Sequence, residues 1–181
     1  ITFKMLLATV AHHKGTITKI DIVNAYAKGT RGANRKYVLI KMPETVREKD
    51  DSGAELFMLG ITPMQGEEPS GDEWWAHICA TLKSSGAHQA ECVGGLFSGK
   101  IDGATFGVAL VTDDLFSAEW GGSDYQIGRR LKSELKIKYT DIKYEENPTS
   151  FTAYMISYNR TTGCASLSMT QKTLEAVRAY L

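Results

Sequence analysis

Two adjacent carboxylates, Asp113 and Asp114, are predicted to lie in the turn of a β-hairpin, and Asp21 lies near the end of an earlier apolar strand. The apolar stretches 107–112 and 115–118 are typical of short buried strands, so a tight turn must carry the two acids. Two negative charges held side by side repel each other, and a bound divalent cation removes that repulsion. These residues therefore predict a metal site built on aspartates.

The elements expected to position these acids alternate between strands and helices. Strands are predicted at 17–23, 37–42, 92–97, 104–112, 115–120, 151–158 and 164–169. Helices are predicted where apolar residues recur every three or four positions, at 3–10, 72–82, 127–135 and from 170 onward. This order predicts one α+β domain over residues 1–181, with an antiparallel or mixed sheet and helices packed on one face.

The composition, 43% hydrophobic and 23% charged over 181 residues, is typical of a globular domain. No apolar run approaches the roughly 20 residues that a membrane-spanning helix needs, and no secretory signal is visible. The three cysteines are scattered, which favours a reducing compartment over a disulfide framework. We therefore expect an intracellular protein, cytoplasmic or associated with an organelle or particle, that is not secreted and binds no membrane.

The formal net charge is zero, but the charges are unevenly distributed along the chain. Residues 1–49 carry ten Lys/Arg and three Asp/Glu, residues 50–124 carry two and thirteen, and residues 125–181 carry nine and five. An acidic middle that requires cations, between basic segments that could follow phosphates, indicates nucleic-acid chemistry. Solvated surface charge is the alternative explanation of the same pattern.

Four segments, in order along the chain, resemble motifs of the reverse transcriptases of copia-type long-terminal-repeat retrotransposons. They are 19–29 (KIDIVNAYAKG, similar to the family's LDVKNAFLNG), 37–43 (YVLIKMP, similar to VYMEQP), 111–114 (VTDD, similar to YVDD) and 162–172 (TGCASLSMTQK, similar to GTISLSQKKYI). The resemblance covers almost the whole chain. Four motifs in the expected order are more specific than any one of them alone.

The resemblance implies the palm of a right-hand polymerase, a small sheet backed by helices, as a single palm-like domain over residues 1–181. In that palm Asp21, Asp113 and Asp114 would be the catalytic and metal-binding residues, and the cofactor would be two Mg²⁺ or Mn²⁺ ions. Two such ions, about 3.5–4 Å apart, stabilise the attacking 3′-hydroxyl and the leaving pyrophosphate. The implied activity is RNA-directed DNA polymerisation, with an RNA or DNA template-primer and a deoxynucleoside triphosphate as partners.

The resemblance also implies a nucleotide-binding set, formed by Ile22, Tyr26, Gln65 and Gly66. The Tyr26 ring would lie under the incoming sugar and exclude a 2′-hydroxyl, the group by which proteins distinguish RNA from DNA. Gln65-Gly66 resembles a turn that lies along the template and the nucleotide, where glycine permits close approach of the backbone. The residues alone also allow Tyr26 to be a core tyrosine and Gln65-Gly66 to be an ordinary surface turn.

The chain departs from the family pattern at several positions. Val111 replaces the tyrosine that precedes the variable residue and the Asp pair, and Glu67-Glu68 place negative charge where phosphate is expected. The fingers before the first residue, and the thumb and ribonuclease H domain after the last, are expected to be missing. Activity is therefore expected only within a longer chain or assembly. Two alternatives stay open: a non-catalytic structural or RNA-binding subunit derived from a reverse transcriptase, and a small metal-dependent phosphotransferase.

Overall fold

The computed structural model describes residues 2–29, 38–62, 70–169 and 171–180. The chain divides into two compact units. The larger unit comprises Ile1–Val23 and Cys79–Leu181, and the smaller unit comprises Asn24–Ile78. The larger unit therefore contains all three predicted catalytic aspartates.

Strands and helices interleave along the chain, as the sequence predicts. The strands are β1 (Thr16–Ile22), β2 (Val38–Lys41), β3 (Phe57–Gly60), β4 (His88–Gln89), β5 (Leu96–Ile101), β6 (Ala104–Val111), β7 (Asp114–Trp120), β8 (Ile142–Glu146), β9 (Ser150–Phe151), β10 (Tyr154–Asn159) and β11 (Cys164–Met169). The helices are α1 (Thr2–His12), α2 (Ala25–Lys28), α3 (Ser70–Ser84), α4 (Gln126–Lys138) and α5 (Gln171–Tyr180), with a 3₁₀ turn at Glu44–Val46. The predicted α+β class is confirmed. Among the described residues, no helix is long and apolar enough to cross a bilayer.

The main sheet of the larger unit has six strands in the order β4-β5-β6-β7-β1-β8, and neighbouring strands all run antiparallel. Strands β7 and β1 lie inside this sheet, so hydrogen-bonded neighbours on both sides fix the positions of their side chains. The second sheet of the unit, in the order β11-β10-β9, is also antiparallel. Of the two predicted possibilities, antiparallel or mixed, the described strands form the antiparallel one.

Helices cover both faces of the main sheet, and the prediction that they pack on one face is wrong. Ile17 of β1 lies in a core cluster with Phe3 and Leu7 of α1. The next residue, Thr18, lies against α4, where a Cβ added to Gly128 would be 2.6 Å from the Thr18 Cγ2 atom. Adjacent strand residues point to opposite faces, so α1 and α4 cover opposite faces. The physical reason is that Ile17 and Thr18 are both buried although they point to opposite faces, and each buried side chain requires a covering layer.

A buried carboxylate attaches the N-terminus of α4 to the main sheet. Glu119 of β7 is 4% exposed and accepts hydrogen bonds from the Ile127 N–H (2.6 Å), the Gly128 N–H (3.0 Å) and the Thr16 hydroxyl (3.1 Å). These N–H groups belong to the first turn of the helix, where the backbone has no partner of its own and the helix dipole favours negative charge. Burial raises the pKa of Glu119, and these hydrogen bonds oppose that rise. Glu119 thereby links β7, β1 and α4.

The smaller unit contains the β2–β3 hairpin and helix α2. Trp74 is buried in this unit, and a Cβ added to Gly29 would lie 3.2 Å from the Trp74 backbone nitrogen. Large apolar side chains of β3 and its neighbours are about half exposed, Phe57, Met58 and Leu59 among them. The sequence predicts β2 as a strand but assigns no strand to the residues of β3.

We predict that Gly128→Ala destabilises the protein, although alanine is favoured over glycine by about 1 kcal/mol in a helix interior. The new methyl group would lie 2.6 Å from Thr18 Cγ2, and overpacking of this kind costs about 1–3 kcal/mol. Urea denaturation measures the change. Ser133→Ala, on the exposed side of α4, is the control and should change stability by less than about 0.5 kcal/mol. Equal stability of Gly128→Ala and wild type would contradict the close packing of α4 on β1.

Candidate metal centre

The three predicted catalytic aspartates lie together at one end of the main sheet. Asp21 of β1 is directly opposite Asp114 of β7 in the antiparallel register. The backbone N–H of Ile22 donates a hydrogen bond to the carbonyl oxygen of Asp113 at 3.3 Å. The predicted convergence of Asp21 with the Asp113-Asp114 pair is therefore confirmed, although these residues are far apart in the sequence.

The β6–β7 hairpin places the two adjacent acids in different environments. Val111 pairs with Asp114, so the turn consists of Thr112 and Asp113, and Asp114 is the first residue of β7. The sequence predicts both acids in the turn, but only Asp113 lies there. Thr112 has a φ of 57°, which is unusual for a β-branched residue. Such backbone strain costs about 1–3 kcal/mol and concentrates at functional sites.

Two lysines that the sequence analysis did not identify form ion pairs with the acids. Lys19 Nζ lies 3.2 Å from Asp114 Oδ1, and both side chains are 23% exposed. Lys143 Nζ donates to Asp21 Oδ2, also at 3.2 Å, but the Lys143 side chain is 76% exposed. Lys19 is two residues before Asp21 on one strand, so the alternation of side chains could have placed it on the same face. Lys143 lies on β8, which the sequence analysis did not predict.

Asp21 and the two lysines border a groove of about 240 Å³. Its lining includes Lys19, Asp21, Lys143 and Glu145. The register explains this arrangement, because Lys143 is opposite Asp21 and Glu145 is opposite Lys19 across β1 and β8. Opposite charges thus alternate across and along this edge of the sheet. The groove is polar, and a ligand within it would contact both carboxylate oxygens and ammonium groups.

Asp114 experiences the charge of both neighbouring acids. Burial raises the pKa of Asp114, and the nearby Lys19 ammonium opposes that rise. The charges of Asp113 and Asp21 raise the pKa further, since each additional negative charge disfavours ionisation of Asp114. The three carboxylates therefore repel one another, and a bound divalent cation would reduce this repulsion.

The aspartates offer carboxylate oxygens, the donor type that suits Mg²⁺ and Mn²⁺, but Asp21 and Asp114 each form an ion pair with a lysine. In the described part of the chain, no group of three or more His, Cys, Asp or Glu side chains is arranged to hold a metal ion. Mg²⁺ is usually bound by one or two carboxylates with substrate phosphates and water. Asp21 and Asp113 provide such carboxylates, and the hard oxygen donors suit these ions.

The remaining predicted site residues are those of the nucleotide-binding set. The Ile22 side chain is fully buried, so a role for Ile22 in nucleotide binding is restricted to its backbone. Tyr26 lies half-buried in α2, and a Cβ added to Gly71 would meet its ring at 4.0 Å. Gln65 and Gly66 lie outside the described residues, so their assignment to the nucleotide site stays a prediction.

No protein-family model, curated protein or solved structure matches the chain. A functional assignment therefore depends on the motif resemblance and on the geometry of the carboxylates.

We predict that Asp114→Asn makes the metal-free protein more stable near neutral pH. Because the folded-state pKa of Asp114 is raised above 3.8, folding is favoured when the group is protonated, and stability falls as pH rises above that value. The variant should therefore exceed wild type in melting temperature at about pH 7 and match it in acid, below the ordinary Asp pKa. Thermal denaturation in EDTA across this pH range measures the difference.

Asp51→Asn is the control, because Asp51 is an exposed acid in the smaller unit, away from the acids of the main sheet in sequence and unit. It should leave the pH dependence of the melting temperature unchanged. A melting temperature of Asp114→Asn below that of wild type at neutral pH would contradict the raised pKa of Asp114.

Proposed function

We propose that this chain is the palm region of an RNA-directed DNA polymerase, a copia-type reverse transcriptase, and that it acts by metal-dependent nucleotidyl transfer. The observation that carries the proposal is the β1–β7 register, which sets Asp21 opposite Asp114 and beside Asp113. The motif resemblance assigns catalysis to these same three residues. A fold that placed these three acids far apart would have excluded the proposal, and this fold brings them together.

The arrangement of strands supports the palm assignment. A palm requires a small sheet with a helical layer behind it and an acidic edge open to the primer terminus. Here strands β6, β7, β1 and β8 are adjacent in that order, α4 covers one face, α1 packs on the opposite face, and the acids lie at one end of the sheet.

The proposed roles follow from the motif resemblance, supported for Asp21 and Lys143 by their places in the groove. Asp21 and Asp113 supply carboxylate oxygens, and two bound divalent ions would activate the 3′-hydroxyl and neutralise the leaving pyrophosphate. Lys143 is exposed in the groove, so its ammonium can contact a phosphate when Asp21 exchanges this lysine for an ion. From the resemblance, Tyr26 is proposed to select deoxynucleotides, and Ile22, Gln65 and Gly66 are proposed to bind the nucleotide.

The proposal also concerns the substrates of the protein, the further domains it would need and its location in the cell. The substrates would be a template-primer and a deoxynucleoside triphosphate, and the remaining polymerase domains would come from a longer chain or assembly inside the cell. One observation favours the non-catalytic alternative, an RNA-binding or structural subunit. Lys19 and Lys143 already pair with Asp114 and Asp21, so these acids are partly neutralised by the protein itself.

We predict that the full-length protein extends a DNA primer on an RNA template only with Mg²⁺ or Mn²⁺, and that Asp21→Asn and Asp113→Asn each abolish extension. Loss of a metal ligand removes several kcal/mol of transition-state stabilisation, which corresponds to a decrease in rate of about 10³-fold. Primer extension under single-turnover conditions measures this rate. Asp51→Asn, at an exposed acid of the smaller unit, is the matched control and should retain the wild-type rate.

RNA binding without extension by the wild-type protein would contradict the polymerase assignment and favour the subunit. Phosphoryl transfer to a small acceptor without extension would favour a phosphotransferase instead.

We predict that Tyr26→Ala increases the incorporation of ribonucleotides relative to deoxynucleotides. Removal of the ring opens space for a 2′-hydroxyl, whereas Tyr26→Phe retains the ring and should retain the wild-type ratio. Competition between the two nucleotide types in the extension assay gives the ratio, and the melting temperature is measured in parallel. A destabilised Tyr26→Ala protein with an unaltered ratio would make Tyr26 a packing residue.

A further inference from the structure

Four of the described strands form the edges of the two sheets in the larger unit, and three of these edges are protected against pairing with another chain. Strands β4 and β9 have two residues each, and β8 carries Lys143, Glu145 and Glu146 among its five residues. Short length and charged side chains are devices by which natural proteins keep an open edge from pairing. The fourth edge strand, β11, has neither of these protections.

Strand β11 is a long, uncharged and exposed edge. Its six residues, Cys164–Met169, include no charged residue and no proline, and five of them are exposed. Strand β11 pairs with β10, and no other described strand lies on its second side. The backbone N–H and C=O groups on that side can therefore accept a further strand.

Helix α5, which follows β11, also lacks a covering surface over its described side chains. All five of these side chains, at positions 175–179, are exposed, and Val177 is 52% exposed. A helix of ten residues is marginal in water by itself, because most helical stability in proteins comes from packing of an apolar face. The open edge and the exposed helix follow each other in the chain, so one partner can cover both.

The composition of β11 favours a second copy of the same strand as this partner. When a strand pairs with its own copy in antiparallel orientation about a two-fold axis, each side chain near the axis lies opposite or diagonal to its own copy. A charged side chain there would be repelled, and β11 has none. An uncharged strand also offers no counter-charge to a nucleic acid or a charged peptide.

We propose that two copies of this chain associate through β11, so that the sheet β11-β10-β9 of one copy continues into the same sheet of the other. Such a pairing uses one edge of each copy, and it therefore closes at a dimer. The antiparallel direction places the end of β11, where α5 follows, beside the start of β11 of the second copy. The proposed metal centre belongs to the other sheet, so this proposal does not depend on the proposed function.

Analytical ultracentrifugation of the full-length chain over a series of concentrations tests the proposal. The wild-type protein should show a reversible monomer–dimer equilibrium without larger species. Ser166 is exposed near the middle of β11, so Ser166→Lys places a charge opposite or diagonal to its own copy. The dimer dissociation constant should rise by at least about tenfold, and Ser166→Glu should have the same effect.

An equimolar mixture of the Ser166→Lys and Ser166→Glu proteins separates strand pairing from a general structural effect. Opposite charges then meet across the axis, and a mixed dimer should form with a dissociation constant within about fivefold of the wild-type value. Mixing could not repair a structural defect in either variant. Far-UV circular dichroism checks that each variant is folded.

Ser157→Lys and Ser157→Glu are the matched controls. Ser157 is exposed on β10 directly opposite Ser166, so it lies on the same face of the sheet but on the inner strand. Each control should keep the wild-type dissociation constant to within about threefold. Loss of the dimer in these variants as well would place the second copy on the face of the sheet and overturn the pairing through β11.

Three further results would overturn the proposal. A wild-type protein that stays monomeric at every concentration would leave the edge to another segment of a longer chain. Open-ended oligomers would exclude a closed two-fold pairing. A dimer that Ser166→Lys does not weaken, or a mixture of the two variants that stays monomeric, would exclude β11 as the contact.

Discussion

The mutual repulsion of three carboxylates, fixed in place by the pairing of β1 with β7, is the constraint on which the rest of the structure depends. The register sets Asp21 opposite Asp114, and the two-residue turn brings Asp113 beside them. Like charges directly opposite each other destabilise a strand pair. The sheet must therefore supply compensation, and it does so with Lys19 and Lys143 on the same face.

This compensation requires a rigid framework, since a shift of one residue in the register would move every side chain to the other face. The neighbours of β1 on both sides, β7 and β8, prevent such a shift. Glu119 adds a second constraint by attaching the first turn of α4 to β7 and β1. The close contact of Gly128 with Thr18 then leaves little freedom between that helix and the sheet. Together these contacts hold the acids in a geometry that they would not adopt by themselves.

The sequence predicts most of the framework where one strong periodicity decides the structure. The positions of β1, β6, β7 and α4 follow from apolar patterns, and the convergence of the acids follows from the motifs. Strand β5 lies at Leu96–Ile101 rather than at the predicted residues 92–97, because the turn that follows it is at Asp102-Gly103 rather than at residues 98–103. Strand β8, with the sequence Ile142-Lys143-Tyr144-Glu145-Glu146, was not predicted, because its alternation is short and rests on Ile142 and Tyr144 alone among charged residues of an edge strand. The predicted site lacked Lys143 for the same reason, because Lys143 lies on β8.

The most direct test of the metal centre is the position of manganese in a crystal of the protein soaked with Mn²⁺ and a non-hydrolysable deoxynucleoside triphosphate. Anomalous scattering identifies the ion independently of any assumption about its ligands. If the metal centre is correct, the anomalous peak should lie within about 2.0–2.6 Å of carboxylate oxygens from Asp21 and Asp113, with the Lys143–Asp21 pair broken. A crystal that binds the nucleotide but shows no manganese at these acids, with both lysine pairs intact, would contradict it.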